Sequence, residues 1–273
     1  SLFNFSGSMR IRYSDQPQSF LISLGGSNLD VQPRITIWRL FFSLIFIWAT
    51  VTLPAEETDP RGEWRTYGGD LASTRYSPLD QINHDNFSDL EVAWRLKTDN
   101  FGPTPEYNFE STPLMVNGTI YTTAGSRRFV VAADAETGEL LWMHRLDEGE
   151  RGETAPRRLS GRGLTYWNDG QDGVILYVTP GYQLVALHAR TGTRVQSFGE
   201  DGVIDLKQNI DQDLEPTAEI GLHAAPVVAG NTIIIGAAHR PGGAPPSRTN
   251  VKGYVRGFDV RTGERKWIFH TIP

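Results

Sequence analysis

The side chains able to do acid–base or metal chemistry are scattered along this 273-residue sequence. Its six histidines, His84, His144, His188, His223, His239 and His270, include no pair at metal-ligand spacing, so each reads as an ordinary structural residue. His223 and His239, which flank one strand-like run, are the pair with a reason to meet. The acidic stretch "NDGQDG" (168–173) resembles a calcium loop, but it lacks the length and closing Glu of an EF-hand and reads as a hairpin turn. Cysteine is absent, which removes disulfides, thiolate metal sites, a cysteine nucleophile, covalent c-type haem attachment and a lipoprotein anchor. Phosphate-binding loops, dinucleotide fingerprints and nucleophile elbows are missing as well. A net charge of -6 offers no basic surface, so no nucleic-acid partner is expected.

What does recur is a phrase. "AADAETGELLW" (132–142) returns as "GFDVRTGERKW" (257–267) and, with His188 in place of the aspartate, as "ALHARTGTRVQSF" (186–198). An aspartate ahead of a Thr-Gly turn accepts backbone N–H groups, and the glycine supplies the positive φ that closes a tight hairpin. Asp134 and Asp259 therefore read as turn residues, and Trp142 and Trp267 as rings that lock one sheet against the next. Ahead of the turns lie β-branched and aromatic runs, "GTIYTTA" (118–124), "VILYVTP" (174–180) and "NTIIIGAA" (231–238), each followed by a second strand, "FVVAADA", "YQLVALHA" or "GYVRGFDV". After the turns come "LLWMH", "RVQSF" and "RKWIF" as third strands. The lead-ins "STPLMVNGTIY" and "AAPVVAGNTII" share a small residue, a proline, an apolar pair and an Asn/Gly turn, which makes an antiparallel unit of about four strands.

Spacing names the architecture. The turn glycines Gly138, Gly192 and Gly263 are 54 and 71 residues apart, and Trp94 in "LEVAWRL" precedes Trp142 by 48. Four-stranded units at such intervals are propeller blades. The expected fold over 56–273 is thus all-β, a β-propeller of four-stranded antiparallel blades, about three to four of them, with an insertion at 198–221. Propellers close with roughly four to eight blades, so the chain is expected to be the front part of a larger protein.

Residues 1–34 lack a sustained period and read as an unstructured N-terminal extension. Within 35–55, Arg39 precedes an apolar run from Leu40 to Leu53, followed by Pro54, Ala55 and Glu56-Glu57. A basic flank, a short apolar stretch and a small residue before polar sequence describe a secretory signal peptide. The run is short of the roughly 20 residues of a membrane span. A cleaved signal and a periplasmic location are the preferred reading. A retained anchor, holding the protein at the inner membrane through 40–53, and a buried core helix are the alternatives. N-terminal sequencing of the mature protein decides, and a mature start well before Leu40 would remove the signal reading.

The opening "WRTYGGDLASTRYSPLDQINHDNFSDLEVAWRL" (64–96) resembles the start of the pyrroloquinoline quinone (PQQ)-dependent dehydrogenases. "FESTPLMVNGTIYTTAG", "RRLSGRGLTYW" and "VKGYVRGFDVRTGERKWIFHTIP" are similar to the same family, in the same order. The resemblance implies a propeller, eight-bladed in the full-length family, that oxidises a sugar or alcohol with PQQ and Ca²⁺ and delivers electrons to a quinone or a cytochrome. It implies cofactor contacts at Glu110 in "FESTPL" and Arg162 in "SGRGLTYW", with Ser160 and Thr165 as hydroxyl donors beside Arg162. Arg127 sits where sugar-oxidising members carry a polar cofactor contact. Arginine suits the task, because PQQ carries carboxylates and carbonyl oxygens that a planar guanidinium can grip while offering a face for stacking. Read by residue type alone, Glu110 is a strand-end solubiliser, Arg162 a surface turn residue, and Arg127 with Arg128 a solvated basic pair.

The sequence also departs from the family. Pro156-Arg157 stands where alcohol-oxidising members carry a vicinal disulfide, and "AAHRPGG" stands where they carry a Gly-Gly-Glu calcium ligand. Both departures point to the glucose-dehydrogenase-like branch. The catalytic Asp and the calcium ligands are expected beyond Pro273, so no catalytic or metal residue is assigned here and this stretch alone is expected to be inactive. The competing functions are a non-catalytic PQQ-like propeller acting as a protein-binding scaffold and a ligand sensor.

Overall fold

Three four-stranded antiparallel sheets follow one another along the chain, and in the first and third the Thr-Gly turn closes the last hairpin. The computed structural model describes residues 62–239 and 250–271, all in one compact unit. The extension expected at 1–34 and the signal or anchor at 35–55 lie outside the described residues.

The first sheet contains β1 (Leu114–Val116), β2 (Thr119–Ala124), β3 (Phe129–Asp134) and β4 (Leu140–His144). The second contains β5 (Thr165–Asn168), β6 (Gly173–Val178), β7 (Gln183–His188) and β8 (Val203–Asp205). The third contains β9 (Val227–Ala229), β10 (Thr232–Ile235), β11 (Tyr254–Asp259) and β12 (Arg265–His270). In every sheet the strands pair in chain order, the meander of a propeller blade. Among the described residues the helical content is α1 (Glu150–Glu153) and a 3₁₀ turn at Phe87–Asp89, so the all-β expectation holds. One apolar cluster, including Leu114, Val130, Leu164, Tyr177 and Leu187, joins the first sheet to the second. A second cluster, with Leu176, Leu184, Phe198, Ile233 and Phe258, joins the second sheet to the third.

Two strand expectations need correction. "RVQSF" is not the outer strand of the second sheet. Arg194 makes one bridge to Leu187, Phe198 turns fully inward, and the chain curls at Gly199 (φ +57°) before β8 pairs with β7. A Cβ on Gly199 would lie 2.4 Å from the Val203 carbonyl oxygen, so only glycine permits that curl. The outer strand thus comes from the segment read as an insertion. "LEVAWRL", expected as part of an earlier blade, forms no strand either, yet its tryptophan does what the repeat requires.

That task is docking. Trp94 Nε1 donates to the Ala135 carbonyl at 3.1 Å and Trp142 Nε1 to the Ala189 carbonyl at 2.9 Å. Their rings lie on the next sheet's turn glycine, Gly138 and Gly192 respectively. At the third turn Ile204 replaces the ring and packs on Gly263, while Trp267 is 40 % exposed.

The turns are built as the sequence predicts. Asp134 Oδ1 accepts the Thr137 N–H at 2.8 Å, and Asp259 Oδ1 accepts the Arg261 N–H at 2.9 Å. Where His188 replaces the aspartate, Gly192 N–H still reaches the His188 carbonyl at 2.8 Å and Thr191 bonds Thr193. The expected hairpin at 168–173 is also present, with Asp169 accepting the Gln171 and Asp172 N–H groups at 3.0 Å.

The Lys266 ammonium, 2.9 Å away, and two backbone N–H groups pull the Asp259 carboxyl down to about 2 from 3.8. A carboxylate whose folded pKa is depressed stabilises the fold above its unfolded pKa and loses that contribution as pH falls through the folded value. Asp259→Asn is therefore expected to cost up to about 1 kcal/mol at neutral pH. The deficit should vanish between about pH 4 and pH 2 in urea titrations. An equal deficit at pH 2 and pH 7 would contradict this.

Candidate functional site

Strand alternation puts the Thr-Gly turns at one end of every sheet and the β2–β3 and β6–β7 turns, with the sheet-to-sheet connections, at the other. Arg128, in the β2–β3 turn, knits this second end together. Its guanidinium donates to the carbonyls of Arg157, Leu159, Val178 and Leu222 at 2.9, 3.0, 2.9 and 2.8 Å. The residue is 3 % exposed, and burial draws its guanidinium down to about 10. The solvated Arg127–Arg128 pair is thereby corrected. Four carbonyls converge on one fork of donors, and that demands burial of Arg128 alone. Glu106 adds a second tie, accepting the Gly125 and Ser160 N–H groups at 2.8 and 2.9 Å.

These connections enclose a cleft of about 590 Å³ whose walls include Tyr107, Glu110, Arg127, Arg157, Arg158 and His223. Glu110, Arg162 and His223 each sit just ahead of the first strand of their sheet, β1, β5 and β9. Backbone bonds brace the three: Arg162 N–H donates to the His223 carbonyl at 2.9 Å, and Thr112 N–H to the Arg162 carbonyl at 3.3 Å. Both Glu110 oxygens are engaged. Oε2 meets His223 Nε2, and Oε1 accepts Asn108 Nδ2 at 2.9 Å. The His223 bond first, then Asn108 and the Arg162 charge, holds the Glu110 carboxyl below the usual carboxylate range.

The sequence-predicted residues do not all meet. Glu110 and Arg127 line the cleft, while Arg162 stands beside it, exposed, its Nη1 donating to the Tyr67 hydroxyl at 3.2 Å. Arg127 Nη2 bonds Glu153 Oε1 at 2.9 Å. Ser160 and Thr165 do not line it. Ser160 is fully buried with its hydroxyl toward the Gly161 carbonyl, and Thr165, on β5, borders a separate cavity of about 240 Å³. Pro156 and Arg157 do line the cleft, and Arg157 Nη2 reaches the His239 carbonyl at 3.1 Å while its buried Nε has no hydrogen-bond partner.

His223 is the residue sequence reasoning missed. It pairs with Glu110 rather than with His239. A signal was available: His223 precedes Pro226 by three positions in "HAAPVV", as Glu110 precedes Pro113 in "ESTPLM". Two copies of one lead-in deliver an acid and an imidazole to the same cleft. With both carboxylates in the wall already paired and three arginines beside them, the arrangement is suited to gripping an anionic ligand rather than to acid–base turnover by itself. Among the described residues no group of three or more His, Cys, Asp or Glu is placed to hold a metal ion.

The family model for the glucose/ethanol/alcohol dehydrogenase β-propeller domain of PQQ enzymes matches residues 64–273. The chain belongs to the PQQ-dependent dehydrogenase family. This quinoprotein propeller is 35% identical over 225 residues to the dehydrogenase subunit of the quinone-dependent alcohol dehydrogenase of Gluconacetobacter polyoxogenes, covering 79% of this chain and 26% of that relative. It is 31% identical over 228 residues to the quinoprotein glucose dehydrogenase of Gluconobacter oxydans, covering 77% of this chain and 27% of that one. The crystal structure of the quinohemoprotein alcohol dehydrogenase from Comamonas testosteroni aligns with a TM-score of 0.59 and 29% identity, over 78% of this chain and 28% of the other. The quinoprotein chain thus spans about a quarter of the length of the curated relatives it matches.

Proposed function

We propose that these residues form one wall of the active site of a PQQ-dependent dehydrogenase that oxidises a sugar or alcohol and passes electrons to a quinone or cytochrome. The observation that carries this is the cleft itself: Arg127, Arg157 and Arg158 gathered around the Glu110–His223 pair, inside a propeller of this family. Its volume lies within the roughly 300–1,000 Å³ of small-molecule pockets. The unpartnered Arg157 Nε is a buried donor in want of an acceptor, which a carboxylated quinone provides.

In this reading Arg127, Arg157 and Arg158 hold ligand carboxylates, and Arg162 adds positive charge from beside the cleft. Glu110, fixed through both oxygens, orients donors of the bound ring. Ser160 serves indirectly, since its N–H holds Glu106 and so the turn that carries Arg162, while Thr165 anchors β5. When bound, PQQ supplies the electron acceptor for substrate oxidation. The Ca²⁺ of this reading is assigned to ligands elsewhere in the full-length protein. Arg157, standing in the cleft where alcohol-oxidising members carry a disulfide, favours the glucose-dehydrogenase-like branch. Export to the periplasm is inferred from the basic flank and short apolar run within 35–55.

The test uses the full-length apoprotein with PQQ, Ca²⁺ and an artificial electron-accepting dye. Dye reduction that requires both PQQ and an aldose or alcohol is expected. Arg157→Ala should weaken PQQ binding by about 1.5–3 kcal/mol, roughly ten- to a hundredfold in Kd. Absence of PQQ binding would overturn the assignment, and binding without turnover on any sugar or alcohol would favour the sensor reading.

A further inference from the structure

The Glu110–His223 pair poses an electrostatic problem for any anionic ligand entering the cleft, and its solution goes beyond the proposed function on which it rests. Glu110 is held ionised at the wall. A ligand rich in carboxylates brought beside it meets like charge. Part of the fixed positive charge is already committed, since Arg127 is paired with Glu153 at 2.9 Å. The imidazole of His223 shares its hydrogen bond with the same Glu110 carboxylate and also lines the cleft.

We propose that His223 is a cofactor-binding and positioning residue that takes up one proton when the anionic quinone enters, turning the Glu110–His223 contact into an ion pair and removing its repulsion toward the ligand. Among the described residues, seven charged or titratable groups share the cleft with the imidazole or stand beside it. Glu110 and Tyr107 come from the segment before β1, and Arg127 from the β2–β3 turn. Glu153, Arg157 and Arg158 come from α1 and the connection after it, and Arg162 from ahead of β5. Guanidinium groups keep their charge throughout the physiological range. Histidine is the side-chain type that changes charge between about pH 5 and 8. Binding and protonation are then linked, each favouring the other by the same factor.

The contact is geometrically prepared for this. The His223 carbonyl is fixed by Arg162 N–H, and the preceding Leu222 carbonyl by buried Arg128, so the imidazole is presented from a rigid backbone. Asn108 occupies the other Glu110 oxygen, leaving His223 as the partner whose charge can change.

The experiment titrates PQQ into the full-length apoprotein with Ca²⁺ present, by calorimetry in two buffers of different ionisation enthalpy, from pH 5.5 to 8.5. Wild-type protein should take up close to one proton per PQQ near neutral pH. Its Kd should rise by up to about tenfold per pH unit on the alkaline side. His223→Gln keeps a hydrogen-bond donor for Glu110 but cannot take a proton, so uptake should fall to near zero and the pH dependence of Kd should flatten. Glu110→Gln, a second variant, should also abolish uptake because it removes the carboxylate that stabilises the imidazolium. PQQ bound by wild type with no net proton uptake, or equal uptake by wild type and His223→Gln, would overturn the proposal while leaving the dehydrogenase reading intact. PQQ failing to bind wild type at every pH would remove that reading and the proposal together.

Discussion

Arg128→Met is expected to lower stability by about 4 kcal/mol, because four carbonyls, two of them in fully buried bonds, lose their donor at roughly 1 kcal/mol each. For a domain of this size that is a fall of roughly 8–16 °C in Tm. Methionine fills much of the volume, so the loss reports hydrogen bonding rather than a cavity. Arg128→Lys should recover only part of it, since an ammonium has donors on one nitrogen and cannot fork toward Arg157, Leu159, Val178 and Leu222 at once. Amide hydrogen exchange should speed up at Arg162 and Gly181 while β3 and β7 keep their protection. A methionine variant that melts with wild type would show that the carbonyls find other partners.

Gly192→Ala is the second large effect, and Gly263→Ala is its control. Both glycines have positive φ, +69° and +76°, so both substitutions carry the left-handed penalty of roughly 1–2 kcal/mol. They differ in what the new methyl meets. At Gly192 it would lie 2.4 Å from the Trp142 ring, which is held by its bond to the Ala189 carbonyl and by Tyr121 at 6.0 Å. At Gly263 it would first meet Ile204 Cδ1, the end of a side chain that can rotate away. Overpacking against a fixed ring adds roughly 1–3 kcal/mol. Gly192→Ala should thus cost about 3 kcal/mol and Gly263→Ala nearer the backbone penalty alone, as read from urea midpoints at constant m-value. Equal losses would mean that the tryptophan dock gives way freely.

The framework was legible in the sequence wherever one local rule decided the outcome. Asp134 and Asp259 had to bond the N–H groups of their own turns, and the strands around them alternate and branch as strands do. Residues 194–205 were misread because Thr-Gly followed by an apolar run is the local signal for a strand. A tertiary demand, the burial of Phe198 and the curl at Gly199, overrode it. Arg128 was misread for a related reason. Beside Arg127 it has the composition of a wet surface pair, and the carbonyls that claim it lie 29 to 94 residues away. The cleft was legible in part: Glu110 and Arg127 line it, whereas Ser160 and Thr165 have the right chemistry but turn into the protein. His223 was hidden by counting histidines as candidate metal ligands when its meaning lay in repeat position, opposite an acid.

The grip of Arg128 on three separate segments has a consequence for how this face can change. Loops that share no anchor accumulate substitutions independently, and their energetic effects add. Here a shift in 157–159 that withdraws a carbonyl alters what a shift at Leu222 or Val178 will cost, because the same guanidinium must be satisfied by whoever remains. Double-variant cycles across these loops should therefore be non-additive even between residues that never touch. Remodelling the cleft becomes a problem of moving several loops in concert, with one side chain shared among them.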